Sequence, residues 1–253
     1  MRLPKNPDSL YTGKRYRQFR QPATTRLIGT RTKTRHMYQL YYHPGNASLA
    51  PHVVLEEIGA PYELRFVDRA NHQHKSPEYL KLNPSGRIPV LIDGDLVLYE
   101  TAAICLHLAD HHPQAKLMPP PGSSQRSECY KWLMYLATTL QAELISYFYP
   151  ERLIDDAAGA VQVKQHAEIR VGQMLDIIEA ELATQNRDYL AGNHYSVADI
   201  YLMMLCRWTR GMSHPAVNRP HLGKYLGRIA ARPSVQRTFA DEGIKAPFFA
   251  VSN

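Results

Sequence analysis

Side chains that can donate hydrogen bonds or carry charge stand at two points where a predicted strand is followed by a predicted helix. Tyr42, Asn46 and Ser48 surround the first junction, and Glu100 and Thr101 occupy the second. A helix start offers free backbone N–H groups and the positive end of the helix dipole, which suit a bound anion. Ser48 and Thr101 are the predicted N-caps of their helices. The carboxylate of Glu100 can pair with an ammonium group beside such an anion.

The elements that position these residues alternate between strand and helix. Alternating apolar residues predict strands, and apolar residues at helical spacing predict helices. The predicted order is a strand at 38–42, a helix at 48–58, a strand at 62–66, a short helix at 77–82, a hairpin of 88–92 and 96–99, and a helix at 101–111. This βαβ–α–ββ–α order predicts a small α/β unit.

The remainder of the chain is predicted to be helical. Apolar residues recur every third or fourth position around 132–144, 171–182 and 197–208, which is the period of an amphipathic helix. Shorter helices are predicted at 220–231 and 234–242. Ser196 and Asp199 have the spacing of a capping box, which we assign to folding and not to chemistry.

These patterns divide the chain into an N-terminal thioredoxin-like α/β domain and a C-terminal all-helical domain. The predicted boundaries are a basic extension at 1–36, the α/β domain at 37–112, a proline-rich linker at 113–124, the helical domain at 125–243 and a tail at 244–253. The extension lacks helical and strand periodicity, so we expect it to be disordered.

Charge and composition exclude several classes of protein. The chain of 253 residues has a net charge of +7, but residues 1–36 alone carry +9 and residues 37–253 carry −2. The folded part of the chain is therefore not indicated to bind nucleic acid, because a nucleic-acid-binding domain carries its excess of basic residues on its folded surface. No apolar run approaches the ~18 residues of a membrane span. Neither a secretory signal nor paired zinc ligands are recognised.

The basic extension has three competing interpretations. Its Arg-rich, acid-poor composition resembles a targeting peptide, and it also suits a weak polyanion-binding arm. The third interpretation is a non-native leader with Met37 as the functional initiator. The three cysteines, Cys105, Cys129 and Cys206, are far apart among apolar residues. We expect them to be reduced core residues of a cytoplasmic protein.

Three segments together resemble the cytosolic glutathione transferases of bacterial type. They are YYHPGNASLAPHVVLEEIG at 41–59, HKSPEYLKLNPSGRIPVLIDGDLVLYET at 74–101 and HYSVADIYL at 194–202. The resemblance spans about residues 37–243 and implies glutathione as co-substrate, no metal and a homodimer. Glutathione carries two carboxylates, one ammonium and one thiol, so its site needs anion pockets at both ends and a group that stabilises a thiolate.

The resemblance implies specific contacts with glutathione. A cis-proline at Pro89 frees the backbone of Ile88 to pair with the cysteinyl part, and Glu100 and Thr101 hold the γ-glutamyl end. His74 contacts the glycyl carboxylate, with Arg87 or Lys75 as alternative sources of that charge. A loop histidine in solvent remains an equal interpretation of His74.

The residue that activates the thiol is where the sequence departs from the family pattern. Bacterial beta-type members carry a cysteine at the position of Ala47 and a histidine near Gln141, and this chain has neither. The remaining candidates, in predicted order, are Ser48, Asn46 and Tyr42. A hydrogen bond donated to sulfur beside a helix N-terminus lowers the pKa of a thiol from ~8.5 toward neutrality.

The predicted function is conjugation of glutathione to a small electrophile held against the helical domain. Candidate residues for the electrophile pocket are Tyr135, Tyr147, Phe148, Trp208 and Met212. Two alternatives stay open. One is a glutathione-dependent disulfide reductase or peroxidase, and the other is a non-catalytic adaptor that keeps the fold. The glutathione motifs argue against the adaptor.

Overall fold

The computed structural model describes residues 37–184 and 187–250, so the predicted extension at 1–36 lies outside the described residues. The first part of the chain forms β1 (Tyr38–Tyr42), α1 (Leu49–Ile58), β2 (Tyr62–Phe66), α2 (Pro77–Leu82), β3 (Val90–Asp93), β4 (Leu96–Tyr99) and α3 (Thr101–His111). The predicted order of elements is confirmed. The first hairpin strand begins at Val90 and not at Ile88, since Pro89 between them has no N–H to donate to a ladder.

The four strands form one mixed sheet in the order β2-β1-β3-β4. Strand β1 runs parallel to β2, with Leu40 opposite Leu64, and antiparallel to β3, with Leu40 opposite Leu91. Strands β3 and β4 form an antiparallel hairpin. Helix α1 forms the crossover connection that parallel neighbouring strands require. This arrangement is the predicted thioredoxin-like fold, and it brings the β1–α1 loop and the start of α3 together.

The second part of the chain is helical, as the apolar periodicity predicted. Its helices are α4 (Ser124–Tyr135), α5 (Gln141–Phe148), α6 (Ala157–Thr184), α7 (Val197–Trp208), α8 (Pro220–Ala230) and α9 (Pro233–Asp241). A π-helical segment, Leu136–Leu140, makes α4 and α5 continuous. No helix among the described residues is long and apolar enough to cross a membrane.

Helix α7 is the centre of a hydrophobic core that runs through both parts of the chain. Ten consecutive residues of α7, from 197 to 206, are buried, and α1, α3, α4 and α8 all pack against it. The predicted capping box at its start is confirmed. The buried Asp199 carboxylate accepts hydrogen bonds from the Ser196 N–H at 2.7 Å, the Leu190 N–H at 2.8 Å and the Tyr225 hydroxyl at 2.6 Å. Burial raises the pKa of Asp199 above its usual range, and these donors oppose that rise.

The cysteines are core residues, as predicted. Cys105, Cys129 and Cys206 are fully buried and form no disulfide. Burial raises the pKa of the Cys129 thiol to about 11 and raises that of the other two further. None of these three thiols is therefore a reactive thiolate near neutral pH.

Candidate active site

A cavity of about 600 Å³ lies between the loops at one edge of the sheet and the helical part of the chain. The sheet side supplies residues from the β1–α1 loop and from the segments before α2 and β3. The helical side supplies residues from α5, from the turn that follows it, and from the end of α7. The lining is Gly45, Asn46, Ala47, Arg69, His74, Lys75, Ser85, Gly86, Arg87, Ile88, Gln141, Ile145, Phe148, Tyr149, Arg152, Trp208 and Arg210.

Of the three candidates for thiol activation, Asn46 is the one that lines this cavity. Its Oδ1 accepts a hydrogen bond from the Ala47 N–H at 2.7 Å. The carbonyl oxygen of the amide is therefore committed to the loop, and the Nδ2 group is the part that can donate to a ligand. Asn46 stands three residues before α1, where the helix dipole adds positive potential.

Ser48 is fully buried and does not line the cavity. Its hydroxyl donates to the His43 carbonyl at 3.2 Å and accepts from the His43 N–H at 3.2 Å. It stands at the N-cap position of α1 as predicted, but its side chain makes no capping hydrogen bond. Because the hydroxyl proton is used inside the loop, we revise the predicted ranking and place Asn46 before Ser48.

Tyr42 also lies away from the cavity lining. Its half-buried ring makes edge contacts with His52 and Phe66, at centroid distances of 6.4 and 6.0 Å. Burial and the nearby carboxylates of Glu242 and Asp241 raise the pKa of its hydroxyl. Tyr42 therefore supports the base of the β1–α1 loop, and we retain it only as the last of the three candidates.

The β1–α1 loop is held by two groups from the C-terminal part of the chain. The Gly45 N–H donates to Glu242 Oε2 at 2.7 Å, and the Gly45 carbonyl accepts from Trp208 Nε1 at 3.1 Å. Gly45 has a φ of 67°, and a Cβ added there would approach Arg207 Nη1 to 3.3 Å. The other oxygen of the buried Glu242 carboxylate lies 2.9 Å from His52 Nδ1 on α1. Both backbone groups of Gly45 are thus held by side chains from the C-terminal part of the chain.

Glu100 and Thr101 lie at the start of α3, but their roles differ from those predicted for a capped helix. Thr101 is the first helical residue and Glu100 is the N-cap, with φ of 74° and ψ of 114° and no side-chain cap. The prediction of Thr101 as the N-cap is therefore wrong. Its hydroxyl instead donates to the Ala47 carbonyl at 3.3 Å.

The start of α3 has two features that suit ligand binding. The first N–H groups of α3 have no capping side chain, so they can bind an anion. The exposed carboxylate of Glu100 stands beside them. A non-glycine residue at positive φ is strained backbone of the kind that collects at functional sites.

Glu100 and Thr101 do not belong to the cavity lining, whereas the wall formed by the segments before α2 and β3 does and is basic. His74, Lys75 and Arg87 line it together. Gly86 has a φ of 59°, and a Cβ added there would come within 2.8 Å of the His74 carbonyl and 2.7 Å of Lys75 Nζ. The loops that carry these three side chains therefore touch, and only glycine permits that approach.

His74 is the least charged of the three groups. Burial lowers its pKa, and the neighbouring Arg69 and Lys75 lower it further. Its Nδ1 is buried without a hydrogen-bond partner in the structure. At neutral pH His74 can act as a hydrogen-bond donor or acceptor, while Lys75 and Arg87 supply the full charge.

The segment before β3 has the predicted backbone form. The Ile88–Pro89 peptide bond is cis, and Ile88 lines the cavity. The Arg87 carbonyl accepts hydrogen bonds from the Tyr79 hydroxyl at 2.9 Å and from Asn83 Nδ2 at 2.8 Å. These two bonds tie the segment to α2 and hold Ile88 at the cavity wall.

Only some of the residues predicted for the electrophile pocket line the cavity in the structure. Trp208 and Phe148 line the cavity, with their rings edge to face at 6.4 Å. Tyr135 and Tyr147 do not line it: Tyr135 donates to the Met174 carbonyl at 3.2 Å, and Tyr147 lies under Lys164. Met212 is buried beside a different surface depression. The error has a physical cause, because a helical stripe of aromatic residues predicts burial but not which face meets a cavity.

Several lining residues were not predicted from the sequence. They are Arg69, Ser85, Gln141, Ile145, Tyr149, Arg152 and Arg210. Gln141, noted only as the replacement of a family histidine, accepts a hydrogen bond from the Tyr201 hydroxyl. Arg69 Nη2 donates to the Tyr149 hydroxyl at 2.9 Å across the cavity. No local spacing links these residues, since they meet only through tertiary packing.

The expectation that paired metal ligands are absent is also corrected. His107 and His111 stand one turn apart on α3, and Asp93 at the end of β3 joins them. The possible ligand atoms of these three residues lie within 4.8 Å of one another. A second such group among the described residues is His52, Glu56 and Asp241. Neither group lines the cavity.

Comparison with known proteins agrees with this architecture. The structure of a sphingomonad glutathione S-transferase complexed with glutathione superposes with a TM-score of 0.71 at 35% identity, covering 82% of this chain and 100% of that one. A thioredoxin-like sheet joined to this helical part, with a cavity at the β1–α1 loop, defines the glutathione transferase fold. The family models for the N-terminal and C-terminal domains of glutathione S-transferase match residues 37–110 and 135–233.

Two curated bacterial relatives extend the comparison over nearly their whole lengths. Glutathione S-transferase GstA of Escherichia coli O157:H7 is 29% identical over 82% of this chain and 100% of its own. Glutathione S-transferase GST-4.5 of Xanthomonas campestris pv. campestris is 30% identical over 81% of this chain and 99% of its own. The chain belongs to the glutathione S-transferase family, and the predicted bacterial type is confirmed.

Proposed function

We propose that this protein binds glutathione in the cavity, stabilises its thiolate and conjugates it to a small electrophile. The observation that carries the proposal is the position of the Asn46 amide in the cavity wall, beside Ala47, whose carbonyl is held by Thr101 at the start of α3. A donor for sulfur and an anion-binding helix start are thereby adjacent. The sphingomonad relative bound to glutathione supports the same ligand here.

Each end of glutathione then has a complementary partner. The γ-glutamyl carboxylate takes the uncapped N–H groups of α3, and the ammonium beside it pairs with Glu100. The cysteinyl backbone pairs with the backbone of Ile88. The glycyl carboxylate takes Lys75 and Arg87, with His74 as a neutral hydrogen-bonding neighbour. These assignments account for the two anion pockets that the ligand requires.

Thiolate stabilisation is assigned to Asn46 and to the dipole of α1. A hydrogen bond from Nδ2 to sulfur is stronger when sulfur is charged, so it favours the thiolate over the thiol. No covalent bond to the protein forms during the reaction. The protein contributes proximity of the two reactants and a preorganised donor for the attacking sulfur.

Glu100→Ala is expected to weaken glutathione binding about tenfold with little change in the stability of the fold. The carboxylate is exposed, and its expected role is to pair with a ligand ammonium, so its loss removes one charge-assisted contact. Isothermal titration with glutathione measures the affinity, and thermal unfolding measures the stability. Glu78→Ala, which removes an exposed carboxylate on α2 and not at the start of α3, is the matched control. An unchanged affinity in Glu100→Ala would reject the assignment of the ammonium pocket.

A second candidate function is a glutathione-dependent disulfide reductase. The observation that favours it is the burial of all three cysteines, because protein thiols are excluded and a second glutathione would have to resolve the mixed disulfide. In that reaction a glutathione thiolate attacks the substrate disulfide and releases one thiol. A second glutathione then releases the other thiol as glutathione disulfide forms. Activity on hydroxyethyl disulfide in the absence of aryl halide activity would favour this candidate.

We also propose that the chain forms a homodimer. Leu96, Val97 and Tyr99 on β4 and Tyr130 and Met134 on α4 are each at least 40% exposed. Both elements adjoin α3: β4 packs against it, and Arg126 of α4 bonds Asp110 of α3 at 2.6 Å. Strand β4 is also an edge of the sheet. Exposed apolar side chains at a sheet edge favour burial against a second copy.

A further inference from the structure

Positive charge is concentrated in the cavity. Five of its lining residues carry a full positive charge, and no Asp or Glu belongs to the lining within the described part of the chain. The five are Arg69, Lys75, Arg87, Arg152 and Arg210. The net charge of residues 37–253 is −2, so this charge is a local feature and not a reflection of a basic body. A cleft lined by one sign of charge attracts ligands of the other sign.

These cations form two groups on opposite walls. Arg69, Lys75 and Arg87 belong to the sheet side, where the proposed function places glutathione. Arg152 follows α5, and Arg210 follows α7, so both belong to the helical side. The glycyl carboxylate of glutathione needs only the first group. Arg152 and Arg210 are therefore available to bind the electrophilic substrate.

Aromatic rings accompany the cations of the helical side. Phe148, Tyr149 and Trp208 line the same wall. The Arg152 guanidinium carbon lies 3.8 Å from the centroid of the Tyr149 ring, and the Tyr149 hydroxyl accepts from Arg69. A guanidinium stacked by its face keeps its N–H groups directed outward from its edge, where they can bind a carboxylate in two-point fashion.

We propose that the second substrate is an aromatic electrophile that carries a carboxylate or similar anionic group, with Arg152 and Arg210 binding that group. This inference rests on the proposed conjugation of glutathione. In the step tested below, the glutathione sulfur forms a bond to the ring carbon that bears chloride. The carbon–chlorine bond then breaks, and chloride leaves with the electron pair. Phe148 and Trp208 contact the ring, and the arginines hold the carboxylate away from the reacting carbon.

The test compares chlorodinitrobenzene with chlorodinitrobenzoate, which differ by one carboxylate. We expect the double variant Arg152→Gln/Arg210→Gln to lower kcat/KM for the benzoate about tenfold, mainly through KM. Turnover of the neutral compound should stay within about twofold. The wild-type preference for the benzoate should also weaken as salt rises, because both arginines are exposed. Arg228→Gln removes the same charge outside the cavity lining and is the control.

The outcomes separate this inference from the proposed function. Equal losses for both compounds in the double variant, or no salt-sensitive preference in the wild type, would overturn the anionic substrate and leave conjugation intact. If the wild-type protein turned over neither compound, the proposed function would be overturned and this inference with it. Thermal unfolding of the double variant checks that the fold is retained.

The C-terminal end of α3 carries two histidines beside Asp93 of β3. His107 Nε2 lies 2.6 Å from Asp93 Oδ2, and the His111 ring packs 4.1 Å from the His107 ring. His111 Nδ1 lies 2.9 Å from the His107 carbonyl. An Nδ1–H donated to that carbonyl leaves the lone pair of Nε2 for a ligand. A hydrogen bond from the other ring nitrogen to a backbone carbonyl is typical of metal-binding histidines.

The geometry points to a divalent transition-metal site formed by Asp93, His107 and His111. Two imidazoles and one carboxylate suit Zn²⁺, Co²⁺ or Ni²⁺ and leave a coordination position open. Tetrahedral bonds of 2.0–2.1 Å place ligand atoms about 3.3 Å apart. The three ligand atoms lie within 4.8 Å of one another, so small side-chain rotations would close the site.

The experiment uses chelator-stripped protein without a histidine tag. We expect one equivalent of CoCl₂ to give visible ligand-field absorbance, and excess ZnCl₂ to raise Tm by about 5 °C. Both signals should disappear in His111→Ala and Asp93→Asn and persist in His166→Ala, which alters an exposed histidine of α6. Absence of both signals in the wild type would overturn the site. Their retention in His111→Ala would also overturn it and would point to adventitious binding elsewhere.

Discussion

Replacing Asn46 by alanine should lower kcat/KM for glutathione conjugation about a hundredfold and raise the pKa of the bound thiol. The amide lines the cavity, and its Oδ1 is fixed by the Ala47 N–H at 2.7 Å, which directs Nδ2 to the ligand. Removing one preorganised oxyanion-hole donor costs about 10²–10³ in kcat in acyl-transfer enzymes, and we expect the lower end of that range for a donor to a thiolate. The thiol pKa is measured as thiolate absorbance of the bound glutathione as pH is varied.

Ser48→Ala is the matched control for this prediction. Its hydroxyl is buried and bonded at both ends to the His43 backbone. We expect this variant to lose about 1 kcal/mol of stability and to leave the thiol titration unchanged. A shift of the thiol pKa in Ser48→Ala, with none in Asn46→Ala, would restore the ranking made from the sequence. A shift in neither would leave Tyr42 or the helix dipole alone as the source of activation.

The elements of the fold were predictable because their signals are local. Val171, Leu175, Ile178 and Leu182 follow the helical period, and all four are buried on one face of α6. A spacing of three residues likewise identified the capping box at Asp199. Such patterns depend on neighbours within one or two turns, and the packed structure reinforces them.

The chemistry of the site was less predictable, because it depends on the geometry of turns and on contacts between distant segments. Whether the Ser48 hydroxyl faces a ligand or the His43 backbone is decided by the geometry of one turn. Arg152 and Arg210 become cavity residues only when the end of α7 meets the turn after α5. The sequence position of Thr101 predicts an N-cap, whereas its hydroxyl donates to the Ala47 carbonyl.

Glu242 is another residue whose role depends on a distant contact and is not visible in the sequence. Its replacement has the largest expected effect on stability. Nothing near it in the sequence marks it, yet its carboxylate accepts from the Gly45 N–H, 197 residues earlier, and lies 2.9 Å from His52 Nδ1. Both Glu242 and His52 are almost wholly buried. The arrangement joins the C-terminal end of α9 to α1 and to the loop that carries Asn46.

Glu242→Ala should reduce the free energy of unfolding by about 3–5 kcal/mol, because the buried His52 and the partly buried Gly45 N–H lose their acceptor in one substitution. Urea unfolding followed by circular dichroism measures this loss. Glu242→Gln keeps the shape and one carbonyl acceptor, so we expect it to lose only about 1–2 kcal/mol. It should retain glutathione binding, since the Gly45 N–H keeps a partner.

A double-mutant cycle between Glu242→Ala and His52→Ala tests whether the buried contact is the cause. Residues that share a hydrogen bond show coupling of about 0.5–3 kcal/mol, whereas independent sites add. Additive losses in the cycle, or a loss below about 1 kcal/mol in Glu242→Ala, would mean that the contact with His52 and Gly45 does not hold the loop. Coupling together with a lower kcat/KM in Glu242→Gln than in wild type would instead show that the charge itself helps to set the position of Asn46.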